Sequence, residues 1–211
     1  MHIWLTSALF FAAPAYSADA NAPHPHQGVA EKFTNPQRTT LSTEEEQTLT
    51  SGESIRRQYR DGDASGRGLA IMDVQGTPDD VWNVILDFDS YPNWIDQLSS
   101  CQTYQRTGDQ IYVHFLIKTM GISVEYFIKH THNASAGHLT WTLDYSRESD
   151  LDDSTGYWLV YPTPNRDGYT RVEYTVDLRV KGWVPGFIED MLANRGLDDA
   201  TNWVRKQVES N

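Results

Sequence analysis

The stretch that decides the fold lies near the end of the chain and reads Lys181-Gly-Trp-Val-Pro-Gly-Phe-Ile-Glu-Asp-Met-Leu-Ala-Asn-Arg-Gly-Leu-Asp-Asp-Ala-Thr-Asn-Trp-Val-Arg-Lys-Gln-Val208. Pro185 stands where a helix begins, because a residue in the first turn needs no backbone donor. Apolar side chains then recur at helical spacing as far as Val208. This pattern predicts one helix of roughly two dozen residues, about 36 Å long, which is enough to cross a small domain.

The middle of this apolar stripe holds Gly196 and Ala200, where a packed core would hold a larger side chain. A glycine inside a helix costs roughly 1 kcal/mol relative to alanine, so something must offset it. The ordinary explanation is a close approach of the helix to a sheet, or a break in the helix. The alternative is room for a guest molecule under the helix, and the pattern leaves both open.

The composition predicts one domain with extensions and excludes some partners. The chain has 211 residues, 39% of them hydrophobic, and its 17 basic and 29 acidic residues give a net charge of −12. Such a charge repels a phosphate backbone or an anionic membrane surface, so nucleic-acid binding is not expected. Cys101 is the only cysteine, which excludes an internal disulfide.

Residues 1–17 have the features of a signal peptide. The apolar run from Ile3 to Ala13 has signal-peptide length and is too short to span a bilayer. Small residues predict cleavage after Ser17, and Ala20 offers a second site. We therefore expect a secreted protein, most simply in a bacterial periplasm, where a lone cysteine leaves no wrong pairing.

Residues 18–50 are expected to form a linker that contains one short helix. The part up to residue 40 is rich in Ala, Pro, His, Asn and Gln without periodicity, which is typical of a solvated segment. Its histidines, His24 and His26, are interpreted as incidental rather than as metal ligands. Leu41–Gln47 places Ser and Thr ahead of acidic residues, which predicts a helix start. The ligand-binding domain is then residues 51–211.

Within the domain the pattern gives strands, then two short helices, then strands again. Glu53–Arg60 and Ser65–Gln75 are predicted strands on either side of a tight turn at Asp61-Gly62. Thr77 begins a helix that runs through Phe88, and a second short helical segment follows. From residue 99 the apolar period becomes two. Six further strands are predicted: Ser100–Thr107, Gln110–Thr119, Ile122–His132, His138–Tyr145, Tyr157–Tyr161 and Tyr169–Val180.

The last of these strands alternates most cleanly, with apolar residues from Val172 to Val180 on one face and polar residues from Arg171 to Arg179 on the other. An antiparallel sheet with one apolar face must be covered, and the terminal helix is the only element long enough. The inward faces also carry aromatic and polar residues: Tyr126, His130, Trp141, Tyr145 and Tyr174. Such a set is typical either of an aromatic core or of a ligand pocket.

Several motifs in register resemble the START-related lipid-transfer (SRPBCC, Bet v 1-like) superfamily. They are Gly76–Trp82, Asp87–Trp94 and Gly182–Pro185, and Leu49–Glu53 resembles the lead-in of bacterial members. Gly156-Tyr-Trp158 resembles the coenzyme Q-binding cyclase/dehydrase branch. The resemblance implies an α+β helix-grip fold, a curved antiparallel sheet wrapped around a long C-terminal helix with two short helices after the first strand.

The resemblance also implies an apolar tunnel under the C-terminal helix that binds a lipid or other hydrophobic small molecule without catalysis. Tyr126, His130 and Tyr174 would orient its head group, and tilting of the helix at Gly182, Pro185 and Gly196 would release it. The predicted ligand-binding residues are Val113, Phe115, Val124, Tyr126, Ile128, His130, Trp141, Leu143, Trp158, Tyr174, Val176, Ile188, Met191 and Leu192. We expect a monomer that makes transient membrane contact and needs no cofactor.

Cholesterol-binding relatives carry a buried acid and arginine on neighbouring strands. The corresponding stretches here are Val113–Phe115 and Ser123–Glu125, and alternation places Glu125 on the polar face. Sterol specificity therefore does not carry over with the resemblance.

Two other classes of function remain open. One is a cyclase- or aromatase-like enzyme in which His130, Tyr126, Tyr145 or Tyr174 polarises a carbonyl or moves a proton, although no catalytic set stands out. A zinc site at His130, His132 and His138 is disfavoured, because rim or surface histidines fit these positions better. The other class is an interaction module with a vestigial cavity, docking a partner through the acidic run Glu148–Asp153. The ordinary reading of that run is a solvated loop.

Overall fold

The sheet at the centre of this protein has eight antiparallel strands. The computed structural model describes residues 18–60, 65–119, 122–181 and 194–210. The strands are β1 (Ile55–Arg60), β2 (Ser65–Gln75), β3 (Leu98–Thr107), β4 (Gln110–Thr119), β5 (Ile122–Asn133), β6 (His138–Leu143), β7 (Leu151–Pro162) and β8 (Tyr169–Val180). Their spatial order is β1-β2-β8-β7-β6-β5-β4-β3, so β8 returns to pair with β2 and joins the first hairpin to the six-strand meander.

The described helices are α1 (Thr43–Thr50), α2 (Pro78–Ile85) and α3 (Asn194–Glu209), with 3₁₀ turns at Phe88–Asn93 and Ala134–Ala136. The start of α2 follows the predicted signal, since Thr77 and Asp80 form a reciprocal capping box around Pro78. The helix ends before Phe88, because the Tyr91 hydroxyl donates to the carbonyl oxygen of Ile85 at 2.5 Å and the chain continues as a 3₁₀ turn.

The α+β architecture and the helix-grip arrangement are confirmed, with two strands rather than one ahead of the short helices. One sheet face is apolar and packs against α2 and α3 in a single large core. The terminal helix approaches the sheet closely at Gly68, where a Cβ atom would lie 2.6 Å from a methyl carbon of Leu197. The close approach that small residues in the helix suggested is therefore made possible by a glycine in β2.

One strand begins earlier than expected. β7 starts at Leu151 rather than Tyr157 and takes in part of the acidic run Glu148–Asp153. The interpretation of that run as a solvated loop is wrong, because Ser149, Leu151 and Asp153 are buried. Aspartates have low strand propensity, and here their carboxylates are held by hydrogen bonds from other segments that the local sequence does not reveal.

Residues 18–42, which we call the N-terminal strap, lie on the outer face of the sheet. They were expected to be a solvated linker, and that expectation is wrong for the structure described. The backbone N–H groups of Val29 and Ala30 donate to the buried Asp153 carboxylate at 2.7 and 2.8 Å. The ring of Phe33 packs against Tyr157 at 5.1 Å. The strap has no apolar periodicity, yet it covers the polar face of the sheet through hydrogen bonds. Its composition had predicted a segment surrounded by solvent.

The strap also explains why polar residues of β8 are buried on the face predicted to be solvated. Thr39 donates to Glu173 from both its backbone N–H and its hydroxyl, and Glu173 has no exposed surface. Arg171 is 3% exposed and pairs with Asp73 and with Glu46 of α1 at 2.8 Å. Buried charges are tolerated where they are paired and hydrogen-bonded, as these are.

Several expectations fall on residues outside the described ranges. These are the signal peptide (1–17), the Asp61-Gly62 turn, and the first half of the predicted terminal helix up to residue 193. None of the helices in the described part of the chain has the length and apolarity of a membrane-spanning helix.

Candidate ligand-binding site

The inward faces of β4 and β5 form one wall of the candidate site. Because successive strand residues point to opposite faces, their cross-strand pairs fall on the same side. Phe115 opposes Tyr126, and their rings stack with centroids 5.1 Å apart. Two inward pairs further along, His130 opposes Ile111 and contacts the ring of Phe88 at 4.7 Å.

The wall continues across β6, β7 and β8. Trp141 stacks on Tyr174 with centroids 5.6 Å apart, and Trp158 contacts Tyr174 at 4.5 Å. Trp141 lies flat over Gly156, its cross-strand partner, where a Cβ atom would collide with the indole ring. The indole N–H donates to Ser154 Oγ at 3.3 Å. A glycine at this register position is therefore what lets an aromatic wall run across three strands.

The opposite wall comes from the 3₁₀ turn and α3. Trp203 of α3 lies 5.7 Å from Trp94, 4.6 Å from Tyr91 and 6.3 Å from Trp158. Tyr91 in turn contacts Phe88 at 5.3 Å. None of these four ring contacts from the turn and helix was assigned to the site from sequence. The motif Asp87–Trp94 was visible, but a short turn broken by Pro92 has no periodicity from which to infer a face.

The predicted ligand-binding residues fall into three groups. Six are buried in the main core: Val113, Val124, Ile128, Trp141, Leu143 and Trp158. Four face the same core but keep part of their surface accessible: Phe115, Tyr126, Tyr174 and Val176. His130 is 5% exposed, and Ile188, Met191 and Leu192 lie outside the described residues. The accessible group therefore marks the surface that an apolar guest would cover.

Three phenols and one thiol converge in this interior. Burial raises the pKa of Tyr91, Tyr126 and Tyr174, and it also raises the pKa of the Cys101 thiol. Cys101 opposes Phe115 and Phe115 opposes Tyr126, so the thiol and this phenol occupy neighbouring inward positions. All four stay protonated at neutral pH, so the site offers neutral hydrogen-bonding groups. Tyr91 and Cys101 were not predicted to belong to it.

His130 is the other polar group of the interior. Its Nδ1 atom is buried and has no hydrogen-bond partner. Burial lowers the pKa of His130 to about 3, because the charged imidazolium would lose its hydration among aromatic rings. The ring is therefore neutral at physiological pH.

The other histidines and Tyr145 lie elsewhere. His132 contacts Trp82 at 4.8 Å, and His138 is buried, so the expectation of rim or surface positions is wrong for His138 as it is for His130. Tyr145 turns towards the strap, where its hydroxyl donates to Asp153 at 2.8 Å, and it is not an inward handle. Among the described residues no group of His, Cys, Asp and Glu is arranged to hold a metal ion.

Glu125 lies in the stretch that corresponds to the buried acid of cholesterol-binding relatives. Its side chain is on the outer face of the sheet, as the alternation of the strand predicted. Glu125 Oε1 lies 2.7 Å from His114 Nε2, and both side chains point away from the core. The carboxylate is thus engaged outside the candidate site.

Comparison with known proteins agrees with this geometry. Residues 71–208 match the family described as polyketide cyclase / dehydrase and lipid transport. The chain belongs to this family. The matched region spans β2 to α3 and so includes both walls of the candidate site. The predicted membership of the START-like SRPBCC superfamily is confirmed.

Solved structures with this fold include proteins described as lipid-transfer proteins and as an aromatase/cyclase. A STAR-related lipid transfer protein from Xanthomonas axonopodis has a TM-score of 0.57 and 13% identity, covering 73% of this chain and 98% of that chain. A START superfamily protein from Mycobacterium smegmatis has a TM-score of 0.55 and 18% identity, covering 68% and 97%. The Zhui aromatase/cyclase from Streptomyces sp. R1128 has a TM-score of 0.56 and 10% identity, covering 74% and 94%. No curated protein gives a significant match. At these identities the likeness establishes the fold.

Proposed function

We propose that this protein binds and carries one lipid or other hydrophobic small molecule between the curved sheet and the C-terminal helix, without catalysis. The observation that carries the proposal is a group of partly accessible side chains on the inward face of the sheet, Phe115, Tyr126, Tyr174 and Val176. A filled core would bury such side chains completely, whereas a guest molecule would cover them. Family membership supports the proposal, since lipid transport is part of the family's description.

The driving force is partition of apolar surface out of water. Each Å² of apolar surface removed from water stabilises the complex by roughly 25 cal/mol, so a few hundred Å² suffice for useful affinity. The aromatic rings on both walls supply this surface, and the phenols and His130 orient the polar end of the guest. Release then requires a gate, for which tilting of the C-terminal helix away from the sheet is the simplest motion.

A cyclase- or aromatase-like enzyme in the same site is the second candidate. The observation that favours it is that the phenols of Tyr126 and Tyr174 belong to the inward face and stay protonated, so each can donate a hydrogen bond to a carbonyl, whereas the Tyr91 hydroxyl already donates to Ile85. His130 argues against it, because a general base works best with a pKa near the operating pH and the pKa of His130 is lowered to about 3. Carriage is therefore the primary proposal.

The carrier would work outside the cytoplasm. The apolar run of residues 1–17 supports export, most simply to a bacterial periplasm, and the net charge of −12 favours a transient rather than a lasting contact with anionic membranes. We propose that it acts as a monomer.

The decisive experiment is native mass spectrometry, with organic extraction, of protein secreted by its own host. A stoichiometric lipid-like mass supports carriage and identifies the ligand class. The site variant Val176→Phe should lose that mass, because it fills the accessible space, while Val29→Phe on the exposed strap should keep it. Empty protein that also takes up no fatty acid, quinone or sterol would refute carriage, and chemical conversion of an extracted polyketide-like molecule would favour the cyclase.

A further inference from the structure

His130 presents an unused hydrogen-bonding atom to the aromatic interior. The side chain is 95% buried, as its 5% relative exposure shows, and Nδ1 lacks a partner. The rings of Phe88, Phe115 and Trp141 surround it at centroid distances of 4.7, 6.4 and 6.2 Å. A buried polar atom without a partner is destabilising, and a hydroxyl or carbonyl group of a bound molecule would satisfy it.

Most charged groups of the sheet lie on its other face; the exception is Arg106 of β3, which opposes Ile111 and is exposed at the edge of the sheet. Arg171 pairs with Asp73 and Glu46, Arg67 lies 3.5 Å from Asp177, and these residues face the strap side of β2 and β8. The polar groups on the inner face are instead the imidazole of His130 and the phenols of the interior, which burial keeps neutral. The sheet thus carries paired charges on one face and, apart from the exposed Arg106 at its edge, neutral hydrogen-bonding groups on the other.

We expect this arrangement to favour hydrophobic ligands with a neutral polar group over those with an anionic group. A fatty acid or phospholipid would have to bring its anionic group next to neutral partners and lose its hydration there, which is strongly unfavourable for an unpaired charge. A hydroxyl or carbonyl loses far less and regains a hydrogen bond from or to the imidazole.

Resting on the proposed function, we infer that the ligand is a neutral lipid whose hydroxyl or carbonyl group binds His130 Nδ1 inside the site. The remaining apolar part of the ligand lies along Phe115, Tyr126 and Tyr174, which keep part of their surface accessible.

The test compares three ligands of one chain length: 1-decanol, decanoate and decane, with delipidated protein at neutral pH. Affinity is measured by displacement of a fluorescent apolar probe. We expect decanol to bind about tenfold more tightly than decanoate, and also more tightly than decane. Decanoate affinity should rise as the pH falls towards the carboxyl pKa, while decanol affinity stays constant.

Two variants test whether the preference for decanol over decane depends on His130. His130→Phe should bind decane as before and lose the preference for decanol, and His130→Gln, which keeps a donor and an acceptor, should restore part of it. The control His114→Phe alters an outward histidine and should leave all three affinities unchanged. Should the Phe variant fail to fold, the decanol-to-decanoate ratio of the unmodified protein decides the matter.

The outcomes separate the two proposals. Decanoate binding as tightly as decanol at neutral pH, or an unchanged decanol preference in folded His130→Phe, overturns this inference and leaves carriage intact. Failure of decanol, decanoate and decane alike to displace the probe overturns both, because the site would then not accept an apolar chain.

Discussion

At the scale of single residues, the contact between Trp141 and Gly156 leaves no room for a side chain at position 156. A side chain at position 156 would meet the indole ring and the carbonyl oxygen of Thr175. We expect Gly156→Ala to destabilise the protein by about 1–3 kcal/mol, the usual range for overpacking a core, and to displace Trp141. Denaturant unfolding measures the first effect, and near-ultraviolet circular dichroism the second.

Gly108 provides the control for this substitution. It lies in a turn with a φ of 61° and open space around it, so Gly108→Ala strains the backbone without touching the core. We expect a cost of roughly 1 kcal/mol and an unchanged aromatic spectrum. An aromatic spectrum that also stays unchanged in Gly156→Ala would show that Trp141 does not depend on the glycine.

The sequence predicted correctly which side chains face inward where this follows from the alternation of residues along a strand. The inward positions of Tyr126, His130 and Tyr174 follow from a period of two and are found as expected. The role of Gly156 and the unpaired nitrogen of His130 could not be predicted, because both depend on cross-strand register and on rings from distant segments. Tyr91 escaped notice for a similar reason, since a 3₁₀ turn has no periodic face.

At the scale of elements, the N-terminal strap is held by buried carboxylates of the sheet. Glu173 accepts hydrogen bonds from the backbone and hydroxyl of Thr39 and, at 2.6 Å, from the hydroxyl of Tyr161. In Glu173→Gln one oxygen becomes an NH₂ group that faces donors. We expect a loss of about 1–3 kcal/mol in unfolding free energy and faster amide hydrogen exchange in residues 18–42.

Glu31→Gln is the matched control, because it makes the same chemical change on the strap itself. The Glu31 side chain is 82% exposed and lies 3.6 Å from Arg67, so its loss should change stability very little. Equal effects of the two substitutions on strap exchange would mean that Glu173 does not anchor the strap.

The second element-scale prediction concerns the C-terminal helix as a gate. A Cβ atom at Gly68 would lie 3.1 Å from Cγ of Leu197, so the Leu197 Cβ is only one bond further away and within reach of a disulfide. We expect the oxidised double variant Gly68→Cys, Leu197→Cys to exchange a bound fluorescent lipid far more slowly than its reduced form. The native Cys101 is a poor competitor, because it is buried and burial raises the pKa of its thiol.

The reduced protein is an internal control for this gate, since it carries the same substitutions without the crosslink. Mass spectrometry before exchange confirms that the bond joins the introduced cysteines. Equal exchange rates in the oxidised and reduced forms would rule out motion of α3 against β2 as the release step.

Element order was predictable from sequence, and the strap was not. Strands and helices can be recognised from the period of their apolar residues. All eight strands were therefore predicted, although the predicted β7 began too late in the sequence. The strap contributes few apolar contacts and is fixed by hydrogen bonds to Asp153 and Glu173, residues more than a hundred positions away. Composition indicates how a segment behaves in isolation. The position of the strap depends instead on the sheet residues to which it is hydrogen-bonded, and composition does not reveal them.

At the scale of the whole molecule, the sheet works as a partition with unlike faces. The outer face buries paired charges under the strap, and the inner face buries neutral aromatic and polar groups against the helices. Sequence alone predicted the apolar inner face and the family fold. It did not predict that the polar face would also be covered. Several histidines are buried in the folded protein, among them His130 on the inner face and His24 in the strap.

Those buried histidines make the stability of the whole protein dependent on pH. Burial lowers the pKa of His24, His130, His132 and His138 below the ordinary value of 6.5. Below 6.5 the unfolded chain therefore binds more protons than the folded protein, so the free energy of unfolding must fall as the pH falls. Asp150, whose pKa burial raises above 3.8, opposes this trend near the acid end.

We expect denaturant unfolding to show this loss between pH 6.5 and 3.8, the ordinary values for His and Asp. His130 should contribute across most of the window, because its pKa is lowered to about 3. His130→Phe should therefore flatten the dependence by about 1.4 kcal/mol per pH unit at most, the value for one proton. An equally steep dependence in a folded His130→Phe protein would mean that the imidazole is not buried in its neutral form. The ligand selectivity assigned to that residue would then lose its physical basis.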